Sequence, residues 1–241
     1  AYIEICREME KRCPGVILLN HSNPMAVLCR AMRKYTDINV IGICHGVQAG
    51  MSYAAEILDA PVGELDCTWV GTNHYYWFTR ILHRGNDVYP ELMRRVSRRR
   101  LPEGKTLSAT LSQIYGYHIV YPSDDHIIEF YPFLTQTGGM NDLPYGMTES
   151  LKAHGYDPSA PEPDGRPARP EERASFFESY QSLLDETGLP EEQDNSITGE
   201  GLASLISAIV HGRRQVHIVN VANRGAIPNL PSTAEVELEG V

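Results

Sequence analysis

Two segments of the sequence each place a possible metal ligand directly after a hydrophobic stretch. Cys44 and His45 follow the run 39–43, and His74 follows an aromatic and β-branched stretch. Thiolate and imidazole groups are metal ligands, and they also serve as nucleophiles and bases. Because adjacent residues on a strand point to opposite faces, Cys44 and His45 do not favour binding one metal together. Considered alone, each residue is more often structural, as a small buried cysteine or a hydrogen-bonded histidine.

Three further polar segments contain candidate site residues. They are the loop with Asn23, the segment 123–129 with Asp124, and the loop 220–225 with Asn223 and Arg224. The segment 123–129 concentrates acid–base groups, but Ser and Asp at its start are equally typical of a helix cap. The loop 220–225 is either the edge of a site or a simple turn. No single one of these segments identifies a reaction.

The first part of the chain alternates short hydrophobic runs with helical patterns. The pattern predicts strands at 16–19 and 39–43 and helices at 25–35 and 53–58, with Asn23 as the cap of the first helix. Gly46 begins either a loop or the next helix. Such alternation indicates a parallel α/β layout. Ligands of these sheets bind outside the carboxyl ends of the strands. Asn23 and Cys44 both follow such ends.

The pattern changes after Pro61 to a mixture of strands and helices. The predicted strands are 66–71, 75–83, 118–121 and 215–221, and the predicted helices are 88–96, 107–115, 170–186 and 201–210, with a loop at 138–165. We therefore predict an α/β chain in two parts. Residues 1–65 form the C-terminal part of a Rossmann-like domain, and residues 66–241 form an α+β domain that binds metal and substrate.

Composition narrows the classes of function. The chain has 241 residues, 42% of them hydrophobic, and a net charge of -10, which disfavours binding to nucleic acid. No hydrophobic run approaches the ~18 residues of a membrane-spanning helix, so no membrane partner is expected. Five cysteines without a CxxC pair predict reduced thiols and a cytoplasmic location. Both ends are expected to be truncated, because the chain lacks an initiator Met and stops within a strand-like alternation.

Taken in order, six segments resemble the motifs of one enzyme family. They are Asn-His-Ser-Asn-Pro-Met (20–25), Cys-His-Gly-Val-Gln (44–48), Gly-Thr-Asn-His (71–74), Asn-Asp-Val-Tyr-Pro-Glu-Leu (86–92), the region 115–130 with His-Ile-Ile-Glu-Phe, and Asn-Val-Ala-Asn-Arg-Gly through Asn-Leu-Pro (220–231). The family is glycoside hydrolase family 4, the NAD-dependent α-galactosidase and α-glucosidase group. The chain departs from it in having no GxGxxG-like dinucleotide loop.

The resemblance implies a redox route to glycoside hydrolysis. Nicotinamide takes hydride from C3 of the sugar, the ketone acidifies the C2 proton, and a base removes it while the glycosidic oxygen leaves C1. Water then adds and hydride returns. A divalent metal, commonly Mn²⁺, is chelated by the C2 and C3 oxygens and stabilises the enolate. The family fold resembles that of lactate and malate dehydrogenases, and a homo-oligomer acting on a small-molecule glycoside is expected.

The resemblance also assigns roles to residues. Cys44 and His74 are the implied metal ligands. His45 is an implied leaving-group acid or substrate contact, since histidine transfers protons near neutral pH. Asp124 is the first choice for the C2 base, with Tyr121 and then Tyr117 as alternatives. The implied substrate contacts are Asn23, Asn73, Asn223 and Arg224.

The residue after the metal cysteine bears on the sugar. Phospho-sugar relatives carry Asn or Asp there, so His45 favours an unphosphorylated α-glycoside. Val47 and Gln48 favour an α-galactosidase, with α-glucosidase and α-galacturonidase close behind. Two other interpretations stay open: a truncated or degenerate sugar-binding homologue without turnover, and a 2-hydroxy-acid dehydrogenase. The second has no use for Cys44 or for the segment 71–74.

Overall fold

The computed structural model describes residues 1–98, 106–119, 127, 130, 131 and 201–240. Over these residues the helices are α1 (Tyr2–Arg12), α2 (Met25–Tyr35), α3 (Gly46–Leu58), α4 (Tyr89–Arg98), α5 (Thr106–Tyr115) and α6 (Leu202–His211). The strands are β1 (Ile17–Asn20), β2 (Asn39–Gly42), β3 (Leu65–Thr72), β4 (Tyr75–His83), β5 (Asn86–Asp87), β6 (His118–Ile119), β7 (His217–Ala222) and β8 (Glu235–Gly240). The predicted α/β fold is confirmed.

The first sheet has the strand order β1-β2-β7-β8. β1 and β2 are parallel and are joined through α2, as the alternating pattern predicted. β7 then pairs antiparallel with β2 at Gly42 and Asn220, and β8 pairs antiparallel with β7. The sheet therefore takes strands from both predicted parts of the chain. The division into residues 1–65 and 66–241 stays a prediction.

Close packing of α2 against β2 depends on a residue without a side chain. A Cβ at Gly42 would lie 2.7 Å from Met25 Sδ, 2.9 Å from Asn220 Cβ and 3.0 Å from Cys29 Sγ. These separations are too short for any larger residue. α1 packs on the outside of α2, and the buried side chains between these elements include two thiols, Cys6 and Cys29. This core supports the carboxyl ends of β1 and β2.

The second sheet is built on the β3–β4 hairpin, with β5 and β6 both paired to β4. Its inner face is aromatic: Trp69, Tyr76 and Phe78 are buried against α3 and α4. The two sheets meet where β3 packs against β8. There, Trp69 Nε1 donates a hydrogen bond to the backbone oxygen of Glu237 at 3.1 Å. Within the described residues, no helix is long and hydrophobic enough to cross a membrane.

Several element boundaries differ from the predictions. α3 begins at Gly46, where the sequence left a loop or a helix open, and it includes the predicted helix 53–58, so Cys44 lies two residues before a helix. The cap of α2 is Pro24 rather than Asn23, and no side chain caps it. Pro24 has an extended backbone, with φ of -72° and ψ of 115°, so the first helical residue is Met25. The predicted helix 170–186, the loop 138–165 and residues 120–121 of the predicted strand 118–121 lie outside the described residues.

Candidate active site

Cys44 and His74 come together although thirty positions separate them in sequence. Cys44 Sγ lies 3.1 Å from His74 Nε2. Cys44 follows β2 and precedes α3, and only 7% of it is exposed. His74 lies in the two-residue turn between β3 and β4, because Thr72 pairs with Tyr75. The pair predicted from the sequence is therefore a pair in space.

The hairpin that presents His74 depends on unusual backbone angles. His74 has φ of 60° and Gly71 has φ of 149°. Side chains are poorly tolerated at such angles. A Cβ at Gly71 would also lie 2.3 Å from the backbone oxygen of Tyr75 and 2.5 Å from Tyr76 Cα. Glycine at position 71 is thus required to bring β3 and β4 close together before the turn.

Tyr76 joins the two halves of the pair. Its hydroxyl donates a 2.7 Å hydrogen bond to the backbone oxygen of Gly46. Tyr76 is two residues after His74, and Gly46 is two residues after Cys44, so this bond fixes the hairpin to the start of α3. Gly50 lets the tyrosine approach, since a Cβ there would lie 2.8 Å from the Tyr76 hydroxyl.

A cavity of about 470 Å³ opens beside His74. Its lining consists of Asn23, Pro24, Met25, Ala26, Val27, Asn73, His74 and Phe130. The volume lies within the range of ligand sites for small molecules. Phe130 contacts the imidazole edge-on, with ring centroids 5.3 Å apart. The structure therefore groups three predicted residues, Asn23, Asn73 and His74, around one cavity.

The Cys44 thiol lies in a site that favours its neutral form. Burial raises its pKa, and the negative charge of Glu237 raises it further. The backbone N–H groups of Gly46 and His45 and the amide of Asn73 oppose this shift in pKa. A cation bound at the sulfur would act in the same direction as these donors and favour the thiolate.

Glu237 is a charged residue of this region that the sequence did not single out. It is fully buried on β8, and its Oε1 accepts a 3.2 Å hydrogen bond from Asn220 Nδ2. Burial raises its pKa to about 7, while Asn220 and Asn73 lower it. Glu237 Oε2, Asn220 Oδ1 and Asn73 Nδ2 are all buried without a well-formed hydrogen bond to the described residues. The carboxylate thus lies beside Cys44 and Asn73 in a polar core whose hydrogen bonds are incompletely satisfied.

The Glu-x-Glu-x-Glu alternation of β8 could not have indicated this burial. Such a pattern predicts a strand with one polar face in solvent. Instead, Glu235, Val236 and Glu237 are all buried, because β8 packs against α2 and β3 as well as pairing with β7. Glu235 Oε1 is paired with Arg33 Nη2 at 3.0 Å. Burial that results from contact between elements far apart in sequence cannot be predicted from the local sequence pattern.

The other predicted residues are placed differently. His45 is exposed and caps α3, with its backbone oxygen accepting from Ala49 N at 2.9 Å. Asn223 is buried, and its amide bonds only to backbone groups of the loop that follows. Arg224 lines a different cavity. Asp124 and Tyr121 lie outside the described residues. The roles assigned to all these residues stay predictions.

The donor set suits an ion that also binds substrate or water. Sulfur and imidazole donors of one ion lie about 3 to 3.5 Å apart, and the Cys44–His74 separation of 3.1 Å meets that requirement. In the described part of the chain, no cluster of three or more His, Cys, Asp or Glu side chains could hold an ion. An ion held by Cys44 and His74 would keep coordination positions for oxygen atoms of a ligand, as catalytic metal sites require.

Family models match both parts of the chain. Residues 1–60 match the family 4 glycosyl hydrolase model, and residues 69–241 match the model of the family 4 glycosyl hydrolase C-terminal domain. The chain belongs to glycoside hydrolase family 4. The family predicted from the six motifs is thereby confirmed.

Curated relatives in this family are named as glycosidases. The chain is 27% identical to an α-galactosidase of Bacillus subtilis (strain 168), over 98% of the chain and 51% of that relative. It is 29% identical to an α-galactosidase of Rhizobium meliloti (strain 1021), over 99% of the chain and 47% of that relative. An α-galacturonidase of Bacillus subtilis is 26% identical over 98% of the chain. The chain thus spans about half the length of the curated relatives it matches.

Solved structures of the family share the fold. A 6-phospho-α-glucosidase from gut microorganisms, in complex with NAD and Mn²⁺, has a TM-score of 0.66 at 21% identity, covering 98% of this chain and 53% of that one. A 6-phospho-β-glucosidase from Thermotoga maritima, with manganese, NAD⁺ and glucose-6-phosphate, has a TM-score of 0.61 at 17% identity, covering 98% and 51%. At these identities the similarity establishes the architecture.

Proposed function

We propose that this chain provides the metal and substrate site of an NAD- and manganese-dependent α-glycosidase. The observation that supports the proposal most is the 3.1 Å contact between Cys44 Sγ and His74 Nε2 at the edge of a cavity. Family membership and the names of the relatives point to the same class of reaction. NAD and Mn²⁺ are proposed as cofactors because a glycosidase with the same fold has been solved in complex with both.

The side chains of the chain have distinct tasks in this proposal. Cys44 and His74 hold the divalent ion, which when bound supplies Lewis acidity to O2 and O3 of the sugar. Asn23 and Asn73 line the same cavity and donate or accept hydrogen bonds with sugar hydroxyls. His45, exposed in the loop after Cys44, protonates the departing glycosidic oxygen. Asp124, or else Tyr121, removes the C2 proton.

NAD supplies hydride exchange at C3 when bound. The chain contains no glycine-rich loop that would hold the phosphates of NAD, so no residue is assigned to the cofactor. We assign Asn223 a supporting role in its own loop, because its side-chain amide donates hydrogen bonds to the backbone oxygens of Ile227 and Leu230. The substrate contact expected for Asn223 from the family motif stays a prediction.

An α-galactoside is the proposed substrate. His45 in place of Asn or Asp disfavours a phosphorylated sugar, and two of the relatives are named α-galactosidases. The α-glucoside and α-galacturonide alternatives differ from it only in sugar configuration or an added carboxylate. Comparing rates on the three nitrophenyl glycosides distinguishes them.

Metal binding tests the proposed ligands directly. Electron paramagnetic resonance titration of the chain with Mn²⁺, in the presence of a thiol reductant, gives the affinity of the site. We expect Cys44→Ser and His74→Gln each to weaken Mn²⁺ binding at least about tenfold, because each removes one of two protein ligands. Cys13→Ser is the matched control, since Cys13 is an exposed thiol outside the site. Unchanged affinity in the Cys44 variant would exclude this ligand assignment.

Turnover is tested with nitrophenyl α-galactoside, NAD, Mn²⁺ and a reductant, omitting each in turn. Hydrolysis should require both NAD and the metal. Hydrolysis that persists without both contradicts the redox route. Mn²⁺ and sugar binding without turnover under any of these conditions supports the alternative of a non-catalytic sugar-binding homologue.

A further inference from the structure

A second cavity, of about 440 Å³, lies on the α2 side of the first sheet. Its lining consists of Arg30, Arg33, Lys34, Ala222, Arg224, Ser232 and Thr233. It shares no lining residue with the cavity beside His74. The two cavities are thus separate sites on the described surface, and the proposed glycosidase chemistry makes no use of this one.

Positive charge is concentrated in this cavity. Four of its lining side chains are cationic, whereas the whole chain has a net charge of -10. Arg33 is neutralised by Glu235, whose side chain is only 2% exposed. Arg30 and Arg224 are exposed and form no ion pair with any of the described residues. At least two arginine charges are therefore available to an anion.

Hydrogen bonds fix the positions of residues on two walls of this cavity. Arg33 Nη2 donates to Glu235 Oε1 at 3.0 Å and to the backbone oxygen of Asn220 at 3.4 Å, and Nε donates to Glu235 Oε2 at 3.3 Å. On the opposite wall, the backbone N–H of Arg224 donates to Ser232 O at 3.0 Å. Both walls therefore rest on the β7–β8 hairpin.

Asn223 fixes the loop that provides Arg224. Its Oδ1 accepts from Ile227 N at 2.7 Å, and its Nδ2 donates to Ile227 O at 2.9 Å and Leu230 O at 3.1 Å. Its own backbone N–H donates to Ala234 O at 2.8 Å. A cationic cavity with a preformed wall loses little conformational entropy when it binds a ligand.

We propose that this cavity binds the phosphate group of a small phosphorylated metabolite. Arginine pairs bidentately with phosphate oxygens, and the hydroxyls of Ser232 and Thr233 add neutral donors. A dianionic phosphate matches two unpaired arginines with Lys34 beside them, whereas a single carboxylate would leave positive charge uncompensated. The volume accommodates the organic part of such a molecule. Arg224, expected from the family motif to contact the sugar, belongs to this second site.

Isothermal titration at constant ionic strength tests the proposal with inorganic phosphate, pyrophosphate and phenyl phosphate. We expect all three to bind, with Arg30→Ala and Arg224→Ala each weakening binding about tenfold, because each loses a charge-assisted hydrogen bond. Arg224→Lys should fall between, since it keeps the charge but loses the bidentate geometry. Arg80→Ala is the control: this exposed arginine of β4 pairs with Asp66, away from the cavity.

Three results would overturn the proposal: no binding of any probe at millimolar concentration, equal weakening in the Arg80 control, or binding of inorganic phosphate without phenyl phosphate. The last would identify a site for the free ion instead of a metabolite. Cys44→Ser should leave phosphate binding unchanged, so failure of this proposal and failure of the proposed glycosidase site are distinguishable. Circular dichroism and thermal unfolding verify that each variant is folded.

Discussion

The hydroxyl of Tyr76 supports the positions of Cys44 and His74, the two proposed metal ligands. It is buried, and its bond to Gly46 O links the hairpin of His74 to the helix start beside Cys44. Side chains that ligate a metal depend on such supporting contacts for their positions. The spacing of 3.1 Å between Sγ and Nε2 should therefore respond to a change at this tyrosine.

We expect Tyr76→Phe to destabilise the chain by about 1 kcal/mol, because it removes a buried hydrogen bond to the Gly46 oxygen. We also expect Mn²⁺ affinity to fall several-fold, because the two ligands are then held less rigidly. Urea unfolding and Mn²⁺ titration measure the two effects. Tyr35→Phe, an exposed tyrosine of α2, should change neither. Full Mn²⁺ affinity in Tyr76→Phe would show that other contacts hold the pair.

The ordered motifs, and not single residue types, led to part of this site. Cys44, His74, Asn23 and Asn73 were predicted from these motifs, and the structure groups them because their motifs follow strand ends. Glu237 was missed because its burial arises from packing of β8 against β3, far from it in sequence. Asn223 and Arg224 are adjacent in one motif, yet one supports a loop and the other lines the second cavity. Sequence proximity does not indicate which way neighbouring side chains point.

At the level of helices and strands, the local hydrophobic pattern predicted where the elements lie in the sequence. It did not predict which strands pair with one another. The aromatic run of β4 has its predicted bounds, Tyr75–His83. The sequence left open whether Gly46 begins a loop or a helix, because Gly46 and Gly50 are poor helix formers. In the structure α3 begins at Gly46, and Gly50 allows close packing on Tyr76. Pairing of β7 with β2 rests on a single register position, Gly42 with Asn220. Hydrophobic periodicity contains no information on such long-range pairing.

The β3–β4 hairpin should be intolerant of any side chain at position 71. We expect Gly71→Ala to destabilise the chain by more than about 2 kcal/mol, since its Cβ would meet backbone atoms at 2.3 and 2.5 Å. Gly85→Ala is the matched control, because Gly85 has a positive φ of 81° but nothing within 4 Å of the added Cβ. It should cost only about 1 kcal/mol. Equal losses in urea unfolding would mean that backbone angle, not steric contact, limits the hairpin.

For the molecule as a whole, buried titratable groups in the two cores set opposing pH dependences of stability. His118 is completely buried between the rings of Tyr53 and Phe78, and burial lowers its pKa to about 3 from 6.5. Between the two pKa values, His118 binds a proton in the unfolded chain but not in the folded chain. The free energy of unfolding therefore falls as pH decreases below 6.5. Glu237 acts oppositely: its pKa of about 7, against 4.5, means that stability falls as pH rises above 4.5.

Urea unfolding of the metal-free chain between pH 4.5 and 6.5 separates the two groups. In this window each contributes a slope of up to about 1.4 kcal/mol per pH unit, positive for His118 and negative for Glu237. Burial also raises the pKa of Glu235 to about 7, although Arg33 opposes the shift, so Glu235 adds a second negative slope and the parent chain should lose stability as pH rises. His118→Gln should lose stability more steeply than the parent chain, and Glu237→Gln should lose it less steeply. Glu239→Gln, an exposed glutamate of the same strand, should follow the parent chain. Glu64 and Glu91, whose pKa values are lowered to about 2 by neighbouring arginines, lose their contribution only below this window. Parallel profiles for the His118 and Glu237 variants would show that neither group is shielded from water as the structure places it.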